Sequence, residues 1–165
     1  MKRLLLVRHA RAGQRGLGPG DLDRPLDARG EAQAQALPGL LGPLLEVEHG
    51  TVHGAVEVRS SPARRCIATV APLAATLGVP VEGDDALVEG ADVVPLLARI
   101  GTLARTTVWS SHGDVIPELL MMLARRGVDL GEDPRCRKGS TWVLDVEDGV
   151  DGGQVVAARY LAPPG

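Results

Sequence analysis

The sequence predicts an α/β fold: a three-layer α/β/α sandwich with a mostly parallel central sheet and an antiparallel C-terminal edge hairpin. Three observations predict it. Strand-like runs at residues 4–7, 55–59 and 106–110 each end in a polar group and lead into a segment with helical periodicity. Such alternation implies parallel strands covered by helices on both faces. Two last runs, residues 141–146 and 154–159, are joined by a Gly/Asp-rich turn and form a hairpin. A length of 165 residues with 44 % hydrophobic and 24 % charged side chains fits one domain, residues 1–165, with a sizeable core.

Each element follows from its residues. Leu4-Leu5-Leu6-Val7 is a buried strand that stops at Arg8-His9, and residues 13–20, rich in Gly and Pro, form a loop beside its exit. Asp27 caps a helix over residues 31–37, which Pro38-Gly39 either kinks or ends. After the strand at 55–59, Ser61 is placed to cap a helix with Pro62 at its first position. Its apolar residues Ala63, Ile67, Val70, Ala74 and Leu77 keep the helical period, Pro72 bends it, and Gly78 stops it. Residues 79–82 hold a proline and make at most a short edge strand, and 85–90 are irregular. Asp92 caps a helix over 93–100, and Asp114 one whose wide apolar face includes Val115, Ile116, Leu119, Leu120 and Leu123.

Composition excludes several functions. With two Trp, one Tyr and no Phe, the chain lacks stacking platforms for single-stranded nucleic acid, and a net charge of −3 also argues against a nucleic-acid polymer as partner. Residues 1–30 carry seven Lys/Arg against three Asp/Glu, a balance of +4 that surrounds Arg8-His9 and suits a small anionic ligand. Cys66 and Cys136 have no metal-ligand spacing and read as reduced thiols. His49 and His53, without acidic or sulfur neighbours, read as loop residues rather than a metal site. The apolar run after Met1-Lys2-Arg3 is too short for a signal peptide, and no stretch approaches a membrane span, so no membrane partner and a cytoplasmic location are expected.

Parallel strands exit at one edge, where α/β sheets bind ligands. That edge gathers Arg8-His9, the segment from Ser60 to Arg65, and His112. Taken alone, His9 reads as a packing histidine. Beside arginine forks that bind phosphate bidentately, an imidazole whose tautomer is fixed reads as a nucleophile toward phosphorus.

These residues resemble the histidine phosphatase, or phosphoglycerate-mutase-like, superfamily. Its Arg-His-Gly signature stands as Arg8-His9-Ala10. Its second block stands as Ser61-Pro62-Ala63-Arg64-Arg65-Cys66-Ile67-Ala68-Thr69, a register that selects Arg65, and its Ser-His-Gly block as Ser111-His112-Gly113. The segment from Leu26 to Ala34 is similar to the family's Leu-Thr-x-x-Gly-x-x-Gln-Ala helix start.

The resemblance implies a phosphatase that needs neither metal nor other cofactor. His9 takes the phosphoryl group as a phosphohistidine while Arg8, Arg65 and His112 neutralise the transferring oxygens. It implies a carboxylic acid beside the leaving oxygen, for which Glu89, in Leu87-Val88-Glu89-Gly90, and Asp114 are the candidates. Arg11, Arg15, Lys138 and Ser140 are further candidates to contact substrate. The chain resembles small SixA-like phosphohistidine phosphatases and, more closely, the histidine-phosphatase domain of actinobacterial Nudix fusion proteins. That likeness implies a small phosphorylated metabolite, a nucleotide or a phosphohistidine protein as substrate, and a Nudix domain or protein as partner. Phosphoglycerate mutase-type transfer and a non-catalytic phospho-ligand-binding module are the alternatives.

Overall fold

The computed structural model describes residues 1–16, 20–45 and 56–165. β1 (Lys2–Arg8) buries all four residues of its apolar run, and the sheet is built outward from it. On one side β4 (Thr106–Ser111) lies parallel to it, followed by β2 (Val56–Ser60) and the short edge strand β3 (Val81–Gly83), both also parallel. On the other side β5 (Thr141–Gly149) runs antiparallel, with β6 (Gly152–Leu161) at the far edge. The order is β3-β2-β4-β1-β5-β6, the mostly parallel sheet with a C-terminal hairpin that the sequence predicts.

Successive side chains of a strand face opposite ways, so each strand supplies two cores. Leu5, Val7, Val58, Val108 and Val143 pack under α1 (Ala28–Leu45) and α2 (Arg64–Leu77). Leu4, Leu6, Trp109, Trp142 and Leu144 pack under α3 (Val94–Ile100) and α4 (Val115–Arg125). The layers are therefore α/β/α. Each fully buried leucine contributes about 1.5–3 kcal/mol, and the core is aliphatic apart from the two tryptophans.

Several boundaries differ from expectation for local reasons. α1 runs through both Pro38 and Pro43 and reaches Leu45, because Leu37, Leu41 and Leu45 bury one continuous stripe on the sheet. Asp27 Oδ1 accepts the Gly30 N–H at 2.8 Å, the cap the sequence predicts. α2 instead starts at Arg64, behind an Ala63 that gives no side-chain cap; the Ser61 hydroxyl accepts the Ala63 N–H at 3.4 Å and lies closer, at 2.8 Å, to His112. Gly78, in the left-handed region, closes α2 as expected. Residues 85–87 form a single 3-10 turn within the segment expected to be irregular, capped by Asp84 Oδ1 on the Ala86 N–H at 3.0 Å.

Among the described residues no helix is long and apolar enough to cross a membrane, and no group of three or more His, Cys, Asp or Glu side chains is placed to hold a metal. Ala55, His49 and His53 lie outside the described residues.

Candidate active site

β1, β2 and β4 end side by side, and the ladder continues one residue past each. The His9 N–H donates to the Ser111 carbonyl at 3.0 Å and the Ser61 N–H to the Ser110 carbonyl at 2.9 Å. The sheet itself thus fixes where His9, Ser61 and His112 stand.

His9 is 5 % exposed, and its Nδ1 donates to the Ala10 carbonyl at 2.8 Å. That bond sets the tautomer and leaves Nε2 as the unprotonated nitrogen, at the wall of a cavity of about 710 Å³. The Ala10 carbonyl is aimed by Thr69, whose Oγ1 accepts the Ala10 N–H at 2.8 Å and donates to the Arg65 carbonyl at 2.7 Å. Burial pushes the His9 pKa down to about 3, with Arg65, His112 and Arg8 adding to the shift against the Ala10 hydrogen bond. The ring is therefore neutral at ordinary pH, as a nucleophile must be.

His112 faces His9 with ring centroids 5.6 Å apart. Its Nδ1 accepts from Arg65 at 3.3 Å and its Nε2 donates to the Ser61 hydroxyl at 2.8 Å. Burial, together with the Arg65 charge, lowers its pKa, so it too is a neutral ring with a defined donor side.

The arginines are held from behind. Arg65, 1 % exposed, gives Nη1 to the Asp21 carbonyl at 2.8 Å and Nη2 to Asp21 Oδ2 at 3.1 Å. Arg8 gives Nη1 to the Cys136 carbonyl at 2.5 Å. In both, the buried Nε–H has no acceptor among the described residues. Two buried guanidinium donors without an acceptor beside a neutral histidine suit an anion with several oxygens, such as a phosphoryl group.

A family model described as the histidine phosphatase superfamily (branch 1) matches residues 4–92, more than half of the chain. The chain belongs to the histidine phosphatase superfamily. The chain is 35 % identical, over 99 % of its length and 49 % of the relative's, to a Mycolicibacterium smegmatis protein named 8-oxo-(d)GTP phosphatase, so it spans about half of that curated relative. Among solved structures it is similar to a protein of Agrobacterium tumefaciens provisionally named phosphohistidine phosphatase SixA (TM-score 0.71, 23 % identity, 98 % of each chain). A mycobacterial glucosyl-3-phosphoglycerate phosphatase bound to inorganic phosphate also matches (TM-score 0.62, 17 % identity, 98 % of this chain and 96 % of that one). Both likenesses show the α/β fold.

In this chain Arg8, His9, Arg11, Arg15, Lys138 and His112 line the same cavity, along with Glu89 and Asp114. The two acid candidates differ. Asp114 accepts backbone N–H groups on both oxygens, from Val115 at 2.8 Å and Gly90 at 2.7 Å. Glu89 is held by side chains, Arg15 at 2.9 Å and Arg65 at 3.5 Å.

Ser140 is not brought to the cavity wall. It is 1 % exposed, and its carbonyl receives the Arg8 N–H at 3.0 Å, a role in the backbone rather than at the surface. Asp21 and Arg24 were not legible as site residues. Arg24 lines the cavity and is tied to Asp21 at 3.2 Å and to the Gly13 carbonyl at 2.9 Å. The only signal was the segment Asp23-Arg24-Pro25-Leu26-Asp27, which by itself assigns no role.

Proposed function

We propose that the phosphatase removes a phosphoryl group from a small phosphorylated compound, a nucleotide foremost, through a covalent phosphohistidine on His9 and without a metal. One observation carries the reading: the His9 Nδ1–H is fixed on the Ala10 carbonyl, so Nε2 is the nitrogen left to attack, on a ring that lines the cavity together with Arg8 and His112. Nε2 forms a bond to phosphorus as the bond to the leaving oxygen breaks. The Arg8 and Arg65 guanidinium groups neutralise the equatorial oxygens beside the neutral His112 ring, and water then displaces the imidazole to give inorganic phosphate.

With an ester substrate the leaving oxygen needs a proton. Glu89 is its source once its ion pairs with Arg15 and Arg65 are released, because Asp114 is committed to capping α4. The 35 % identical relative supports a nucleotide among the substrates. The sharing of one sheet by all strands supports a single domain over residues 1–165. A Nudix domain or protein as partner belongs to the same proposal, on the resemblance alone.

The test uses p-nitrophenyl phosphate in EDTA with rapid quenching. Turnover with an acid-labile, base-stable phosphoprotein that is absent in His9→Ala is expected. Turnover equal in His9→Ala would overturn the covalent route. Ligand binding without any adduct would mark a binding module instead.

A further inference from the structure

The cavity extends beyond one phosphoryl group, and its lining holds five Arg and Lys side chains against three Asp and Glu. Arg11, Arg24 and Lys138 line it next to Arg8. The nearest carboxylates are already engaged, Asp27 by Arg11 at 3.1 Å and Asp21 by Arg24 at 3.2 Å, which leaves Lys138 without an ion-pair partner among the described residues. Partial burial and the charges of Arg8, Arg24 and Arg11 together push the Lys138 ammonium below the usual lysine range, only partly offset by Asp27. With Arg11 and Arg24 paired, Lys138 is the cation whose charge an anion bound beside it would balance.

These cations are also fixed relative to the nucleophile. Gly139, at φ +82°, donates its N–H to the carbonyls of Arg8 at 3.2 Å and His9 at 3.0 Å, while the Arg8 N–H returns to Ser140. The turn bearing Lys138 is thereby bonded to the backbone that bears His9. Arg11 is placed through Gln33, whose Oε1 accepts the Arg11 N–H at 3.1 Å and whose side chain packs against Gly139. One glutamine thus touches both the backbone that bears Arg11 and the glycine next to Lys138.

An independent observation concerns the leaving group. Both oxygens of Glu89 accept from arginines and both of Asp114 from backbone N–H groups, so each cavity carboxyl serves as an acceptor. An alkoxide leaving group needs a proton from such a carboxyl. A phosphate leaving group, with its second pKa near about 6, does not.

We propose that the substrate's reactive phosphoryl group is bonded to a second phosphate, which sits on Lys138, Arg11 and Arg24. The inference rests on the phosphatase reading above and narrows its substrate class to condensed phosphates, such as nucleoside diphosphates and triphosphates. His9 Nε2 forms its bond to the terminal phosphorus. The bond from that phosphorus to the bridging oxygen breaks, and the electron pair stays on that oxygen. The departing phosphate leaves as an anion with its new charge opposite Lys138, and no proton is required. Water then cleaves the Nε2–P bond and inorganic phosphate departs.

The experiment has a kinetic arm and a binding arm. In the kinetic arm, kcat/KM is measured for ADP and p-nitrophenyl phosphate with the wild type, Lys138→Met and Arg11→Gln, the second variant serving should the first misfold. The ADP to p-nitrophenyl phosphate ratio is expected to fall about tenfold or more. A ratio that stays within twofold in both variants overturns the proposal, as does a kcat/KM for a phosphohistidine protein above that for ADP. In the binding arm, inorganic pyrophosphate and phosphate are titrated calorimetrically into His9→Ala with and without Lys138→Met. Pyrophosphate is expected to bind at least tenfold tighter than phosphate, with the advantage below threefold once Lys138 is replaced. Equal affinities overturn the proposal. A pyrophosphate preference that depends on Lys138, in a protein whose wild type turns nothing over, keeps the subsite and removes the phosphatase reading.

Discussion

Gly113→Ala isolates the contribution of the Arg8 fork without touching Arg8. A Cβ built on Gly113 falls inside the Arg8 guanidinium, with Nε 2.7 Å away. Gly113 is not among the glycines with positive φ, so alanine meets no backbone strain and its effect is confined to the side chain it displaces. The Arg8 side chain has to swing aside, giving up the Nη1 bond to the Cys136 carbonyl while its backbone stays in the sheet. Displacement therefore removes a charged donor from the phosphoryl group.

A hydrogen bond to a charged group contributes roughly 1.5–3 kcal/mol. At about 1.4 kcal/mol per decade, kcat/KM should fall roughly 10- to 150-fold. The lost Arg8 to Cys136 bond also has a charged donor and costs about 1.5–3 kcal/mol, a decrease of roughly 3–12 °C in Tm for a domain of this size. Steady-state kinetics with p-nitrophenyl phosphate and a thermal melt separate the two effects. Undiminished kcat/KM with the fold intact would refute the assignment of Arg8 as a phosphoryl ligand.

Thr69→Val leaves the Ala10 N–H without its acceptor, and should cost about 1–3 kcal/mol by urea unfolding and lower kcat more than it raises KM. An unchanged kcat would mean that Ala10 does not aim His9 through Thr69. Because the folded His9 pKa is about 3 against 6.5, the unfolded chain takes up the proton first as pH falls. Stability should be intact above pH 6.5 and decline towards pH 3 by up to about 1.4 kcal/mol per pH unit. Urea unfolding between pH 7 and 4 should show a flatter profile in His9→Asn, and parallel profiles would contradict the burial argument. Glu89→Gln should reduce kcat for an alkyl phosphate at least fivefold more than for p-nitrophenyl phosphate, whose leaving group departs readily without a proton. Equal losses would remove Glu89 as proton source.

What the sequence disclosed about the site follows from topology. Once residues 4–7, 55–59 and 106–110 are taken as parallel strands, His9, the segment up to Arg65 and His112 must share an edge, and they do. Side-chain choice between competing partners was not disclosed. Ser61 before Pro62 has the local pattern of a helix cap, yet its hydroxyl sits on His112 Nε2 at 2.8 Å, a partner 51 residues away that no local rule reveals. Asp21 is similarly silent in a Gly/Pro-rich stretch. Its importance arises only when α2 brings Arg65 against its carbonyl and carboxylate. Pro38 was ambiguous because local chemistry favours a break, while the leucine stripe of α1, a tertiary feature, favours continuation. Ser140 sits next to a cavity lysine in sequence, but the tight turn at Gly139 points the two residues to different environments.

The partner chosen for His9 Nδ1 bears on the second half of the proposed cycle as much as the first. That partner is a neutral backbone carbonyl, in a position where a carboxylate would have made the imidazole more basic. An imidazole held to a pKa of about 3 is a weaker base and, for the same reason, a better leaving group when water attacks the phosphorylated ring. The buried carbonyl and the surrounding cations therefore favour a phosphoenzyme that is consumed quickly over one that is stored. They suit a hydrolase that clears phosphate rather than a carrier that passes it on.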